Sequence, residues 1–236
     1  MQQGRKIYTS FHDLSPREYM YFPKGSIERG SVGKFSSVEI QHLFIAIGVL
    51  TVSFAIAFSG NNLLIGRFDI GKLLFSLPIS FLGIITAFFV HELSHKFMAQ
   101  RYGLWSEFRM NTQGLLLSLI FAIFTGFVFA APGAVMFQGE TRTFETGRIA
   151  AAGPLANILI ALVTYFLYRY LFFDITIGKI IGFICLINAL LAAFNLLPFG
   201  PFDGMKVIRW NGIIWAGLFI ISIILMVLIF PIAPLF

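Results

Sequence analysis

The sequence predicts an all-α polytopic membrane protein of five or six transmembrane helices, interrupted between residues 110 and 139 by a membrane-associated hairpin or small β-sheet. Three observations lead there. Of 236 residues, 58% are hydrophobic and 12% charged, with a mean hydropathy of +0.85, whereas a soluble domain carries about 25% charged residues. The few charges are clustered, leaving charge-free runs at Ile40–Gly66, Leu73–Val90, Met110–Gly139, Ile149–Tyr168, Ile180–Phe202 and Trp210–Phe236. Each approaches or exceeds the roughly 20 apolar residues that a spanning helix requires. The third run differs from the others: it holds Gly114, Gly126, Pro132 and Gly133 among residues that also suit strands.

Taken in order, residues 1–39 mix six basic and four acidic side chains and form a tail. The membrane-embedded domain is expected at 40–236, with its core at about 73–209. No apolar region follows the first residues, so a cleaved signal peptide is not expected. Tyr19–Phe22 ("YMYF") is expected at the lipid headgroups. His42, opening the first run, reads as an interfacial anchor, and Asn188, inside the fifth, as a packing amide. The net charge of +6 collects near helix ends, where Lys and Arg meet anionic headgroups. It forms no basic stripe interleaved with aromatics, so the lipid bilayer and not nucleic acid is the expected partner. Cys185 is the one cysteine, which excludes an intramolecular disulfide and any cysteine-based zinc or redox motif.

The second run ends in His91-Glu92-Leu93-Ser94-His95, the pattern H-E-x-x-H. On a helix, residues four apart are rotated by about 400°, so both imidazoles leave one face. That spacing suits two nitrogen ligands on a tetrahedral zinc ion. Glu92 is rotated by about 100° from His91 and stands beside the metal, where it can accept a proton from an attacking water. The competing reading is two polar residues at a helix end with Glu92 paired to Lys96 at i, i+4. It is disfavoured because ionisable groups at membrane depth are costly and mark function.

A catalytic zinc usually takes three protein ligands. The remaining candidates are His12, His42, Asp13, Asp69, Asp174 and Asp203. Asp203 stands out, because "NLLPFGPFDG" breaks a helix at membrane depth with Pro198 and Pro201. Its pairing with the histidines can be tested by topology. If all six runs cross, the end of the second and the end of the fifth face opposite sides. If 110–139 dips and returns, they share a side with the N-terminus. Basic residues then divide thirteen against four, compared with eleven against six in the six-span arrangement. The positive-inside rule favours five spans with a cytoplasmic N-terminus.

"HELSH" in an apolar helix, "AAGPLAN" (Ala151–Asn157) and "NLLPFGPFDG" occur in that order. In these elements the chain resembles the site-2 protease family of intramembrane zinc metalloproteases. The resemblance implies that His91, His95 and Asp203 bind one Zn2+ and that Glu92 activates water. It implies that Asn195 positions the substrate or the developing oxyanion. It also implies cleavage of a transmembrane segment of another membrane protein near the cytoplasmic face, in the cell membrane. The 110–139 segment resembles a membrane-associated sheet that pairs with unwound substrate, with "FVFAAPGAVMF" as candidate edge. No inserted PDZ or CBS module is expected. Two other functions compete. A metal-ion transporter usually shows several polar sites and paired repeats, and this chain shows one cluster and no repeat. A catalytically inactive scaffold that binds membrane helices has no need of Glu92.

Overall fold

The computed structural model describes residues 7–8, 33–129, 131–139, 141–171 and 174–229. The "YMYF" segment lies outside the described residues. Helix α1 (Ser37–Phe58) starts where Ser36 Oγ accepts the Glu39 N–H at 3.1 Å. After a short 3-10 turn (Leu63–Ile65), Asp69 caps α2 (Ile70–Ile84) by accepting the Lys72 N–H. Without a break in direction, α2 passes through a π-helical turn (Ile85–Phe89) into α3 (Val90–Arg101). Helices α5 (Thr143–Tyr170), α6 (Ile175–Asn195), α7 (Asp203–Trp210) and α8 (Gly212–Ile229) complete the helical frame.

Among the described residues, five helices are long and apolar enough to cross a membrane: α1, the continuous Ile70–Arg101 rod, α5, α6 and α8. The five-span arrangement therefore holds. At about 1.5 Å per residue, His91 lies roughly 32 Å along the rod from Ile70, which is about one bilayer core. The metal motif thus sits near one membrane boundary.

The 110–139 run is neither a span nor a plain hairpin. It contributes the end of β2 (Trp105–Met110), helix α4 (Thr112–Thr125) and all of β3 (Gly133–Gln138). Asn111 caps α4 through the Gly114 N–H, and Gly126 ends it at φ 69°. Fourteen residues give a helix of about 21 Å, too short to cross. Its far end meets the loop after α1, where Asn62 Nδ2 donates to Thr125 O at 2.9 Å. The chain then returns to pair β3 with β2 in an antiparallel register from Trp105↔Gln138 to Met110↔Gly133. From the tail, β1 (Ile7–Tyr8) joins the other edge of β3 at Gln138 and Phe137, giving the order β1-β3-β2.

Helix α5 lies at the centre, packed against α3, α6, α7 and α8. One apolar cluster joins it to α6 and α8 through Ile158, Leu186 and Leu225. A second joins α1, the rod and the sheet through Leu50, Phe88, Phe108 and Val135. A buried ion pair joins α1, α3 and β2. Lys96 Nζ donates to both Glu39 oxygens at 2.9 and 2.7 Å and to Ser106 O at 3.0 Å. The Phe108 N–H donates to Glu39 Oε1. Lys96 therefore pairs across helices with Glu39, not along its own helix with Glu92. His42 accepts the Met110 N–H at 3.4 Å, an anchor of α1 to β2.

Candidate metal centre

The H-E-x-x-H motif occupies the first turns of α3, immediately beyond the π-helical turn. His91 Nδ1 lies 2.5 Å from Asn157 Oδ1, and His95 Nδ1 lies 2.7 Å from Ile149 O. Both acceptors are on α5. A carbonyl oxygen can only accept, so His95 carries its proton on Nδ1 and turns a lone pair at Nε2 into the site.

Asp203 is brought there by the break after α6. Pro198 and Pro201 stop the helix, and the chain doubles back into α7. The return is so close that a Cβ on residue 204 would lie 2.2 Å from Leu196 O, which is why glycine stands there. Trp215 on α8 locks the turn, donating Nε1–H to the same Leu196 O at 2.8 Å. Asp203 Oδ2 then lies 3.0 Å from His95 Nε2 and 3.5 Å from His91 Nε2, while the two Nε2 atoms are 3.0 Å apart. Among the described residues, these three form the group able to hold a metal ion, and all three are buried.

The geometry fits zinc. Ligand bonds of 2.0–2.1 Å at tetrahedral angles separate donor atoms by about 3.3 Å. Three such acceptor atoms at 3.0–3.5 Å repel one another unless positive charge lies among them, as a metal ion or, in its absence, as a proton on an imidazole Nε2. Gly153 supplies the room: a Cβ there would lie 2.4 Å from His95 Nε2 and 2.7 Å from His91 Nε2. Burial raises the Asp203 carboxyl, but His95, His91 and Lys206 outweigh it and hold the group well below the usual carboxylate range. Lys206 Nζ lies 3.6 Å from Oδ1, the oxygen turned away from the imidazoles.

Glu92 stands beside the cluster and not in it, as its helical phase requires. Its Oε2 accepts the Val135 N–H at 3.0 Å, which ties it to strand β3. A cavity of about 170 Å³ reaches these groups. Its walls are apolar, with Leu50, Phe54 and Phe88 on one side and Ile187, Leu191 and Phe194 on the other. Asn195 lines it as well, with Nδ2 donating back to Leu191 O at 3.0 Å. The residues named from sequence thus meet at one cavity. Asn157, Gly153, Lys206 and Val135 were not given roles there. Asn157 carried a readable signal, an amide within a charge-free run; Val135 acts through its backbone and leaves none.

The family description for peptidase family M50 matches residues 79–175. A Methanocaldococcus jannaschii protein named "Putative zinc metalloprotease MJ0611" is 38% identical over 188 residues, covering 79% of this chain and 91% of its own length. "Zinc metalloprotease MJ0392" of the same organism is 29% identical over 133 residues, covering 56% of this chain and 33% of its own. "Putative zinc metalloprotease YwhC" of Bacillus subtilis is 26% identical over 157 residues, covering 56% and 68%. No solved structure gives a significant match. With the histidine pair and its α5 partners inside the matched region, and a relative covered over nine-tenths of its length, the chain belongs to peptidase family M50, the family of the site-2 proteases.

Proposed function

We propose that the protein is an intramembrane zinc metalloprotease that hydrolyses peptide bonds within or near transmembrane segments of other membrane proteins. The observation that carries this reading is the convergence of His91 Nε2, His95 Nε2 and Asp203 Oδ2, with Glu92 beside them, at the end of a membrane-spanning rod. His91, His95 and Asp203 are the metal ligands. Zinc held there would polarise the scissile carbonyl and lower the pKa of water to about 7. Glu92 takes the proton from the attacking water and returns it to the leaving amine, so that one water is consumed per peptide bond broken. The Val135 N–H fixes one Glu92 oxygen and leaves the other for that transfer. Asn195 spends one amide hydrogen on Leu191 O and keeps one to position substrate or the developing oxyanion.

A substrate helix must unwind before its carbonyls can be attacked, and β3 offers the unwound segment a place. Beyond the two residues paired with β1, the outer edge of β3 from Gly133 to Met136 carries no described strand, and Val135 on it touches the base. Strand addition there supplies backbone hydrogen bonds to replace those lost on unwinding. Of the candidate edge "FVFAAPGAVMF", the part from Gly133 onward is the pairing strand. The thirteen-to-four distribution of basic residues supports an N-terminus and a site that face the cytoplasm.

The test compares purified wild type with Glu92→Gln against a panel of single-span membrane substrates, with zinc measured in both. About one zinc per chain is expected in each, since Glu92 is not a ligand, with cleavage by wild type alone. Cleavage surviving in Glu92→Gln sinks the mechanism. Zinc transport into vesicles without cleavage favours a transporter, and substrate capture without cleavage favours a scaffold.

A further inference from the structure

Behind His91 lies a chain of hydrogen bonds that crosses three membrane helices. Thr86, in the π-helical turn, donates Oγ1–H to Leu82 O at 2.9 Å and Gly83 O at 3.0 Å. Its oxygen therefore accepts from Asn188 Nδ2 of α6 at 3.2 Å. Asn188 Nδ2 also donates to Ile184 O at 2.9 Å, which leaves Oδ1 to accept from Asn157 Nδ2 of α5 at 2.9 Å. Asn157 Nδ2 gives its second hydrogen to Ala87 O, again in the π-helical turn, at 2.9 Å. Only Asn157 Oδ1 remains, and it faces His91 Nδ1 at 2.5 Å.

The direction of every bond is forced. Ala87 O and Ile184 O are backbone carbonyls and can only accept, so the amide atoms facing them are nitrogens whichever way the side chains are first drawn. With Asn157 oriented by Ala87 O, its oxygen must meet a donor, and His91 must carry its proton on Nδ1. Both asparagines are fully buried, so no water can substitute for a missing partner. Turning Asn157 over would set oxygen against oxygen at 2.9 Å at two places, and turning Asn188 over would set oxygen against Ile184 O and nitrogen against Asn157 Nδ2, each at 2.9 Å.

We infer that Thr86, Asn188 and Asn157 are positioning residues that fix the tautomer and ring angle of His91, so that its Nε2 lone pair is presented for metal before any metal arrives. This rests on His91 being a zinc ligand. The π-helical turn has a purpose in this arrangement: it exposes Ala87 O to α5 and sets Thr86 toward α6, so the rod's own backbone orients the amide that orients the ligand. None of the three residues touches the metal or the substrate.

The experiment measures zinc dissociation constants by chelator competition in detergent, with monodispersity and thermal unfolding recorded for each protein. Asn157→Leu, close in shape but without polar atoms, is expected to weaken zinc 10–100-fold. Thr86→Val keeps the shape and loses the oxygen, whereas Thr86→Ser keeps the oxygen and loses a methyl. A relay predicts Val weaker than Ser, with Ser within about threefold of wild type; a packing role predicts the reverse order. Should Asn157→Leu not fold, the Thr86 pair decides alone. Zinc affinity in Asn157→Leu within threefold of wild type, or Ser weaker than Val, overturns the inference. His91→Ala is the control for the reading beneath it: if that variant binds zinc like wild type, His91 is not a ligand and the metal assignment fails instead.

Discussion

Gly153→Ala is the smallest change that reaches the metal centre. The added methyl would lie 2.4 Å from His95 Nε2 and 2.7 Å from His91 Nε2 and Cε1, where ordinary contact begins at 3.4 Å. Relief requires about 1 Å of retreat by the imidazoles, roughly five times the ±0.2 Å tolerance on metal–ligand distances. Removing partners that merely orient ligands costs 10–100-fold in affinity, and displacing the ligands themselves should cost more. We expect zinc affinity to fall at least about 100-fold. The fold should survive. Alanine gains about 1 kcal/mol over glycine in a helix interior, against about 1–3 kcal/mol for overpacking, so the net loss is at most about 2 kcal/mol. Gly48→Ala in α1, where nothing lies within 4 Å of the new Cβ, is the matched control and should keep full zinc. Chelator competition reads the affinity, and thermal unfolding of metal-free protein reads the fold. Wild-type zinc affinity in Gly153→Ala would refute the placement of α5 against the imidazoles.

The buried ion pair makes a second prediction. Lys96→Met leaves Glu39, 0% exposed, without its cation, and stranding a buried charge costs about 3–5 kcal/mol. At about 2–4 °C per kcal/mol, the unfolding midpoint should fall by about 6–20 °C, with much of it restored in the Glu39→Leu, Lys96→Met double variant. A shift below about 3 °C in the single variant would show that the charge finds water. A third concerns pH. The folded pKa of Asp203 is depressed, so its contribution to metal-free stability is complete above the usual carboxylate value of about 3.9 and is lost as pH falls through the lower folded value. Metal-free wild type should therefore exceed Asp203→Asn in stability at pH 7, and the gap should close only below about pH 4; a gap closing near pH 6 would assign it to other groups.

The spans were legible because lipid leaves few solutions for a backbone: long charge-free runs must be helices. The metal ligands were legible for a related reason, since His91, His95 and Asp203 are conspicuous where charge is scarce. The topology of 110–139 was only half legible. Glycines and prolines announced that the run does not cross, but Gly126 serves as a helix end and Pro132 as a strand entry, and both uses look alike in sequence. Asn188 was weighed as a packing amide; its partners come from α5 and from the rod, and no local pattern records contacts 31 and 102 residues distant. The Lys96–Glu39 pair was hidden in the same way, because a helical i, i+4 partner was available and the real one is 57 residues away.

Two of the proposed ligands and the proposed base lie on one helix, while the third proposed ligand follows more than a hundred residues later, after two further spans. During synthesis, then, the chain carries His91, Glu92 and His95 into the bilayer with nothing to complete them. Asp203 arrives only after them, and its turn is clasped by Trp215, which arrives later still. A ribosome-bound fragment that stops before the turn between α6 and α7 therefore lacks a finished centre. Assembly of the candidate centre is thus tied to the seating of α8, whose Trp215 clasps the turn that carries Asp203.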